Sequence, residues 1–204
     1  MSPPVVHLVD DDPSFLAAAA RLLRASGFSV CTFLSADDFL KRNKDGAGGC
    51  VVADLRMPGI NGLDLQAALA RSDNPLPVLF LTGNGDIPSS VQAMRGGAED
   101  FLEKLAPKEK LLNAVTRALA RDALERATRG RRQELRALFT TLSLREKEVL
   151  GHVVQGRLNK QIAADLGIHE RTVKLHRTAI TTKLGVPSVA GLTRLTHEAA
   201  ITFP

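Results

Sequence analysis

The sequence holds no tryptophan, no tyrosine and only two cysteines. Missing those rings, it is a poor candidate for a platform on which nucleic-acid bases stack. Cys31 and Cys50 lie in apolar, strand-like contexts without metal-ligand spacing, which excludes a disulfide scaffold. Both read as buried free thiols of a cytosolic protein. No apolar run approaches the ~18 residues of a membrane span. Met1-Ser2-Pro3-Pro4 lacks the basic flank and apolar core of a signal peptide. A cytoplasmic location follows as an expectation.

What is present is an uneven charge. Residues 1–120 carry 12 Lys/Arg against 14 Asp/Glu, whereas residues 121–204 carry 15 against 8. A near-neutral part followed by a basic one predicts two domains, the second facing a polyanion.

The first part alternates β-branched runs with amphipathic stretches. Strands are expected at Val5–Asp10, Ser29–Phe33, Gly49–Asp54, Pro77–Thr82 and Asp100–Lys104, and helices near 13–26, 36–43, 61–71, 87–96 and 107–120. Five strand-then-helix repeats require a parallel sheet covered on both faces. Asp12-Pro13 reads as an N-cap followed by N1, and Gly27 as a helix stop. Residues 121–141 interleave six arginines with acids and few leucines, which predicts a helical linker broken or loosened near Gly130. The remainder has no strand signal. Ser143 and Glu146 fit a capping box, and helices are expected to about 155, over 159–166, over 170–184 and over 188–200. Four helices with a tight Gly167 turn between the second and third form a helix-turn-helix arrangement.

Open parallel sheets bind ligands beyond the carboxyl ends of their strands. Placed there are Asp10, Asp11 and Asp12, then Asp54, Thr82 and Lys104. Clustered carboxylates need a cation, and all-oxygen ligands suit Mg²⁺. With Asp12 spent on capping, Asp10 and Asp11 remain for the metal. A hydroxyl and an ammonium supply two donors to a phosphoryl group. The pocket therefore reads as acyl-phosphate chemistry with Asp54 as nucleophile.

These residues carry a resemblance. Val9-Asp10-Asp11-Asp12, Asp54-Leu55-Arg56-Met57-Pro58-Gly59, Leu81-Thr82-Gly83 and Phe101-Leu102-Glu103-Lys104 resemble the receiver domain of bacterial response regulators, nearest to the FixJ type. That implies an α/β receiver, a (βα)5 doubly wound parallel sheet of the flavodoxin/CheY-like kind, over 1–120. It implies that Asp54 takes a phosphoryl group from a sensor histidine kinase, forming 4-aspartylphosphate. Mg²⁺ would be held by Asp10, Asp11, Asp54 and the backbone carbonyl of Arg56. Thr82 and Lys104 would contact the phosphoryl oxygens, with Thr82 and Phe101 as switch residues. Phosphorylation in such proteins favours a homodimer through the fourth helix, fifth strand and fifth helix. The positions here are Val91, Met94, Leu111, Leu112 and Val115.

On the helix over 170–184, the ~100° step per residue puts Val173, Ile180 and Leu184 inward. Arg171, Lys174, Leu175, Thr178 and Thr182 face outward, a surface suited to phosphates, guanine edges and a thymine methyl. Arg177 and Lys160 are placed to reach phosphates. His176 is expected at the core rim, held internally. Leu144-Arg145-Glu146-Lys147-Glu148-Val149-Leu150, Asn159-Lys160-Gln161-Ile162-Ala163 and Arg171-Thr172-Val173-Lys174-Leu175-His176 resemble the LuxR-type helix-turn-helix domain. The resemblance covers 142–204, with 121–141 as the helical linker. It implies promoter DNA contacts by Lys160, Arg171, Thr172, Lys174, Leu175, Arg177 and Thr178, and pairing of two such domains through the helix over 188–200.

The expected function is a two-component response regulator and transcription factor, taken as an activator, with no membrane partner. It is not read as an enzyme. An aspartyl phosphatase built on this pocket would carry a general acid two residues after the nucleophile, where this chain has Arg56. A regulator that no longer accepts phosphate is disfavoured, because the acidic, hydroxyl and ammonium groups are all in place. One departure from the family stands out. Lys104 is followed by Leu105 where a proline, usually joined by a cis bond, is common. A cis bond before a non-proline residue costs roughly 2.5–4 kcal/mol, so the Lys104-Leu105 peptide is expected to be trans.

Overall fold

The alternating runs of the first part fold as the periodicity predicts. The computed structural model describes residues 4–43, 48–83 and 87–203; the first three residues, read above for a signal peptide, lie outside them. The elements are β1 (Val5–Val9), α1 (Pro13–Ala25), β2 (Ser29–Phe33), α2 (Ala36–Arg42), β3 (Gly49–Ala53), α3 (Gly62–Ala70), β4 (Val78–Thr82), α4 (Ile87–Arg95), β5 (Asp100–Glu103) and α5 (Lys108–Thr140). The strands pair in parallel in the order β2-β1-β3-β4-β5. Strand order reverses direction between β1 and β3, and the register pairs Val9 with Ala53. The residues that follow those two strands therefore emerge side by side.

Alternation along each strand sends side chains to two separate cores. Val9, Val51, Ala53 and Phe80 pack with Phe39, Leu65 and Ala93 on one face. Val6, Leu8, Val52 and Leu79 pack with Leu16, Leu23 and Ala118 on the other. β3 and β4 are buried throughout, as continuous apolar runs between two helical layers should be. β2 is an edge strand, and this corrects one expectation: Cys31 is exposed, and only Cys50 is buried. Burial, reinforced by the carboxylates of Asp122 and Glu99, pushes the Cys50 thiol up to about 12.

A second correction concerns α5. Leu111 and Val115 are buried with Ala114 and Ala118 against the sheet. Spaced three to four residues apart, they share the inward stripe of the helix, so neither can face a second chain. Leu112 is half-buried, while Val91 and Met94 on α4 are exposed.

The chain divides into two units, Met1–Arg126 and Ala127–Pro204. The interruption expected near Gly130 does not occur; α5 is helical from Lys108 to Thr140. One interior glycine costs only about 1 kcal/mol. Arg121 offsets part of that by pairing with Glu125 at 2.8 Å, one turn on. Beyond residue 120 the helix also gains anchors within the first unit. Buried Asp122 accepts the Gly49 N–H at 2.8 Å, and Arg126 donates to Asn74 at 3.0 Å.

In the second unit Leu135 and Phe139 join a core with Val149, Leu150, Ile162 and Val173. It is built from α6 (Leu144–Val154), α7 (Asn159–Leu166), α8 (Glu170–Leu184) and α9 (Val189–Glu198). Ser143 and Glu146 form the expected capping box, with Ser143 Oγ accepting from the Glu146 N–H at 3.2 Å. Gly167 (φ +63°) and Gly185 (φ +67°) end α7 and α8 in the left-handed region that favours glycine. Glu146 has a second role that spacing does not reveal. Lys183 donates to both its carboxylate oxygens, at 2.7 and 2.9 Å, and holds its pKa below the usual range.

His7 on β1 is buried against the rings of Phe39 and Phe33, with centroids 5.4 and 6.0 Å away. Neither ring nitrogen has a hydrogen-bond partner among the described residues. Burial lowers its pKa from 6.5 to about 4. The folded state thus holds the neutral imidazole, and the unfolded chain takes up the proton first as pH falls. Stability is complete above pH 6.5 and is lost between 6.5 and 4, by about 3 kcal/mol in total. Denaturant unfolding of wild type and His7→Leu across that window checks this. The difference between the two chains should change with pH; a constant difference rules the assignment out.

Candidate functional site

The backbone ladder delivers the pocket. Asp10 donates its N–H to the Phe33 carbonyl at 3.1 Å and Asp54 donates to that of Val9 at 2.9 Å, each one residue past its strand. Lys104 donates to the Thr82 carbonyl at 2.8 Å in the same way. Asp10, Asp54, Thr82 and Lys104 therefore share the carboxyl edge of the sheet. The tight approach of α3 is also required here. A Cβ at Gly62 would fall 2.4 Å from the Asp54 carbonyl oxygen, so only glycine fits. That glycine was not singled out from the sequence, since nothing local distinguishes it.

The three consecutive aspartates divide as expected. Asp12 caps α1, accepting from the N–H groups of Ser14 at 2.8 Å and Phe15 at 3.2 Å. Asp10, 2% exposed, uses Oδ1 to accept the Asp12 N–H at 3.0 Å. Carboxylate oxygens of Asp10, Asp11 and Asp54 lie within 4.8 Å of one another. Lys104 Nζ stands 2.6 Å from Asp10 Oδ2 and 2.9 Å from Asp54 Oδ2. Burial raises the Asp10 pKa even against the pull of that ammonium. Burial also disfavours the Lys104 ammonium, but bonds to Asp10 and Asp54 outweigh it and raise its pKa. Three carboxylates facing one ammonium leave an excess of negative charge. Such an oxygen-only donor set fits a hard divalent cation such as Mg²⁺.

The other residues named for this pocket lie close by. Thr82 is buried at the end of β4. Arg56 is exposed, and its N–H points to Asp54 Oδ1 at 3.4 Å. Phe101 is half-buried, its ring 6.1 Å from that of Phe80 at the edge of one core. The Lys104-Leu105 peptide is trans, as expected, and Leu105 is 94% exposed. The turn is closed instead by the Ala106 N–H on the Glu103 carbonyl at 2.9 Å.

On α8, Val173, Ile180 and Leu184 are buried while Arg171, Lys174, Leu175, Thr178 and Thr182 are exposed. Leu175 is 65% exposed, which nothing in the core of this unit explains. Lys160 on α7 is exposed and Thr172 is half-buried. Arg177 lies between the two faces of the helix. It is half-buried and donates to Asn159 Oδ1 at 3.0 Å, which ties α8 to the start of α7. His176 is half-buried at the rim of the core stripe.

Residues 6–116 match the response regulator receiver domain family, and residues 140–196 match the bacterial regulatory proteins of the luxR family. The chain is 41% identical over 197 residues to Nodulation protein W of Bradyrhizobium diazoefficiens, covering 97% of this chain and 87% of that protein. It is 39% identical over 196 residues to the transcriptional regulatory protein FixJ of Azorhizobium caulinodans, covering 96% of this chain and 93% of that one. Among solved structures, the response regulator StyR aligns with a TM-score of 0.83 at 42% identity, over 97% of this chain and all of the other.

Proposed function

The chain belongs to the response regulators that join a receiver domain to a LuxR-family DNA-binding domain, and on that footing we propose that Asp54 is its phosphoacceptor and a histidine kinase its phosphodonor. What carries this reading is the convergence of the Asp10, Asp11 and Asp54 carboxylates with Lys104 at the switch point of the sheet. An Asp54 oxygen attacks phosphorus, the P–N bond to the donor imidazole breaks with its electrons leaving on nitrogen, and an O–P bond forms. Lys104 and Thr82 receive the charge on the phosphoryl oxygens. Asp10, Asp11, Asp54 and the Arg56 carbonyl would hold Mg²⁺, which when bound neutralises carboxylates and phosphoryl oxygens together.

The receiver over 1–120 would thus regulate the DNA-binding domain over 142–204 through the segment 121–141. We read the chain as a transcription regulator rather than an enzyme. Phosphorylation would favour a homodimer, for which exposed Val91 and Met94 and half-buried Leu112 remain available. Among the described residues no helix is long and apolar enough to cross a membrane, and we place the protein in the cytoplasm. The test is to incubate the full chain with acetyl phosphate and Mg²⁺. A mass gain of one phosphoryl group and tighter binding to DNA selected from a random pool are expected. An unchanged mass overturns the proposal.

Mg²⁺ affinity gives an independent check. Asp11 is exposed, and its carboxylate would contribute as a ligand alone. Asp11→Ala should weaken Mg²⁺ by at least about tenfold, the lower end of what losing even a hydrogen-bond partner of a metal ligand costs. Calorimetric titration reads this directly, and an unchanged affinity removes Asp11 from the site.

A further inference from the structure

Lys104 has one contact that its charge partners do not account for. Its Nζ lies 4.3 Å from the centroid of the Phe15 ring, in the first turn of α1. Phe15 is fixed in turn: Asp12, followed by Pro13 at the first helical position, accepts the Phe15 N–H. The contacts close a circuit. Asp10 holds the Asp12 N–H, Asp12 holds that of Phe15, the Phe15 ring faces Lys104, and Lys104 returns to Asp10.

The ring adds to the two carboxylate bonds of this lysine a contact of another kind, one that does not depend on where those carboxylates are engaged. Its successor Leu105 is almost wholly exposed, so that side chain adds no packing beside it. A lysine stem is long and flexible, and its ammonium is a point charge without the planar fork that preorganises arginine. The ammonium must also move when chemistry occurs, from carboxylate oxygens to those of an arriving phosphoryl group. A ring face suits that motion, since cation–π attraction has little directionality within the face and excludes water from one side.

We propose that Phe15 is a positioning residue for phosphoryl transfer, its ring holding the Lys104 ammonium over the carboxylate pocket while it passes between Asp10 and the phosphoryl oxygens. This rests on the reading of Asp54 as phosphoacceptor. Asp12, the third aspartate of the run, then has a purpose beyond capping: it places the ring.

The experiment compares full-length wild type, Phe15→Leu and Phe15→Trp, with acetyl phosphate as donor so that kinase docking plays no part. Phe15→Leu keeps the apolar bulk and loses the π face; its phosphorylation rate should fall about three- to tenfold, the span of a partly desolvated cation–π contact. Phe15→Trp should keep the wild-type rate within about twofold, because indole is the best cation–π partner. The Lys104 ε-methylene protons should be shifted upfield by the ring current in metal-free wild type, and not in Phe15→Leu. The inference is overturned if Phe15→Leu matches wild type, if both variants slow equally, or if the lysine protons show no ring-current shift. A wild-type chain that takes up no phosphoryl group overturns the phosphoacceptor reading and this inference with it.

Discussion

Asp54→Asn is expected to take up no phosphoryl group from acetyl phosphate or a cognate kinase, while folding as the wild type does. The amide has nearly the shape of the carboxylate but is a poor nucleophile at neutral pH. Elsewhere, removing a covalent nucleophile costs about 10⁶-fold in rate, which would put any residual reaction below detection. Folding should survive because the neighbours keep their partners. Lys104 retains Asp10 at 2.6 Å, and the amide oxygen can still accept the Arg56 N–H. The substitution also removes one of three converging negative charges, which relieves repulsion on buried Asp10. Intact-mass measurement after incubation is the readout. A stable phosphoryl-sized gain on Asp54→Asn would show that another residue is the acceptor.

The next largest effect is expected on DNA. Lys174 stands on the exposed face of α8, with Glu170 at 3.7 Å one turn back. Placed in a major groove, it would contact a base edge, and its loss should cost about 1–3 kcal/mol of discrimination, roughly 5- to 150-fold in specific affinity. Lys160 is exposed at the start of α7, on the preceding helix. Lys160→Ala should weaken all sequences alike and lower the slope of affinity against salt by about one phosphate contact. Arg177 is the poorer probe, since its guanidinium bonds Asn159 and its removal would also loosen α7 from α8. Titration of Lys174→Ala and Lys160→Ala against selected and random DNA at several salt concentrations distinguishes the roles. Equal losses on both DNAs for both variants would refute the face assignment.

Much of this protein was written in short-range patterns. The caps at Asp12 and Ser143, and the turn at Gly167, are interactions spanning about four residues or fewer, and each is readable in place. Strand-and-helix alternation fixed the parallel sheet. The rule that ligands gather at strand carboxyl ends then places Asp10, Asp54, Thr82 and Lys104 together from the sequence alone. The inward stripe of α8 followed from its period alone.

What tertiary structure decided lies at longer range. Cys31 is exposed because β2 is an edge strand, and strand order is not encoded in the local pattern around residue 31. Leu111 and Val115 are core because α5 turns that stripe to the sheet, whereas the apolar residues Val91 and Met94 of α4 are left outside. The helix passes through Gly130, and the bond from Asp122 to Gly49, 73 residues apart in sequence, anchors it beyond the expected boundary. The pairing of Glu146 with Lys183 and the ring of Phe15 against Lys104 belong to the same class. Propensity and capping act between neighbours along the chain, so sequence reveals them. Burial, ion pairing and ring contacts act between neighbours in space, and those neighbours exist only once the elements have packed.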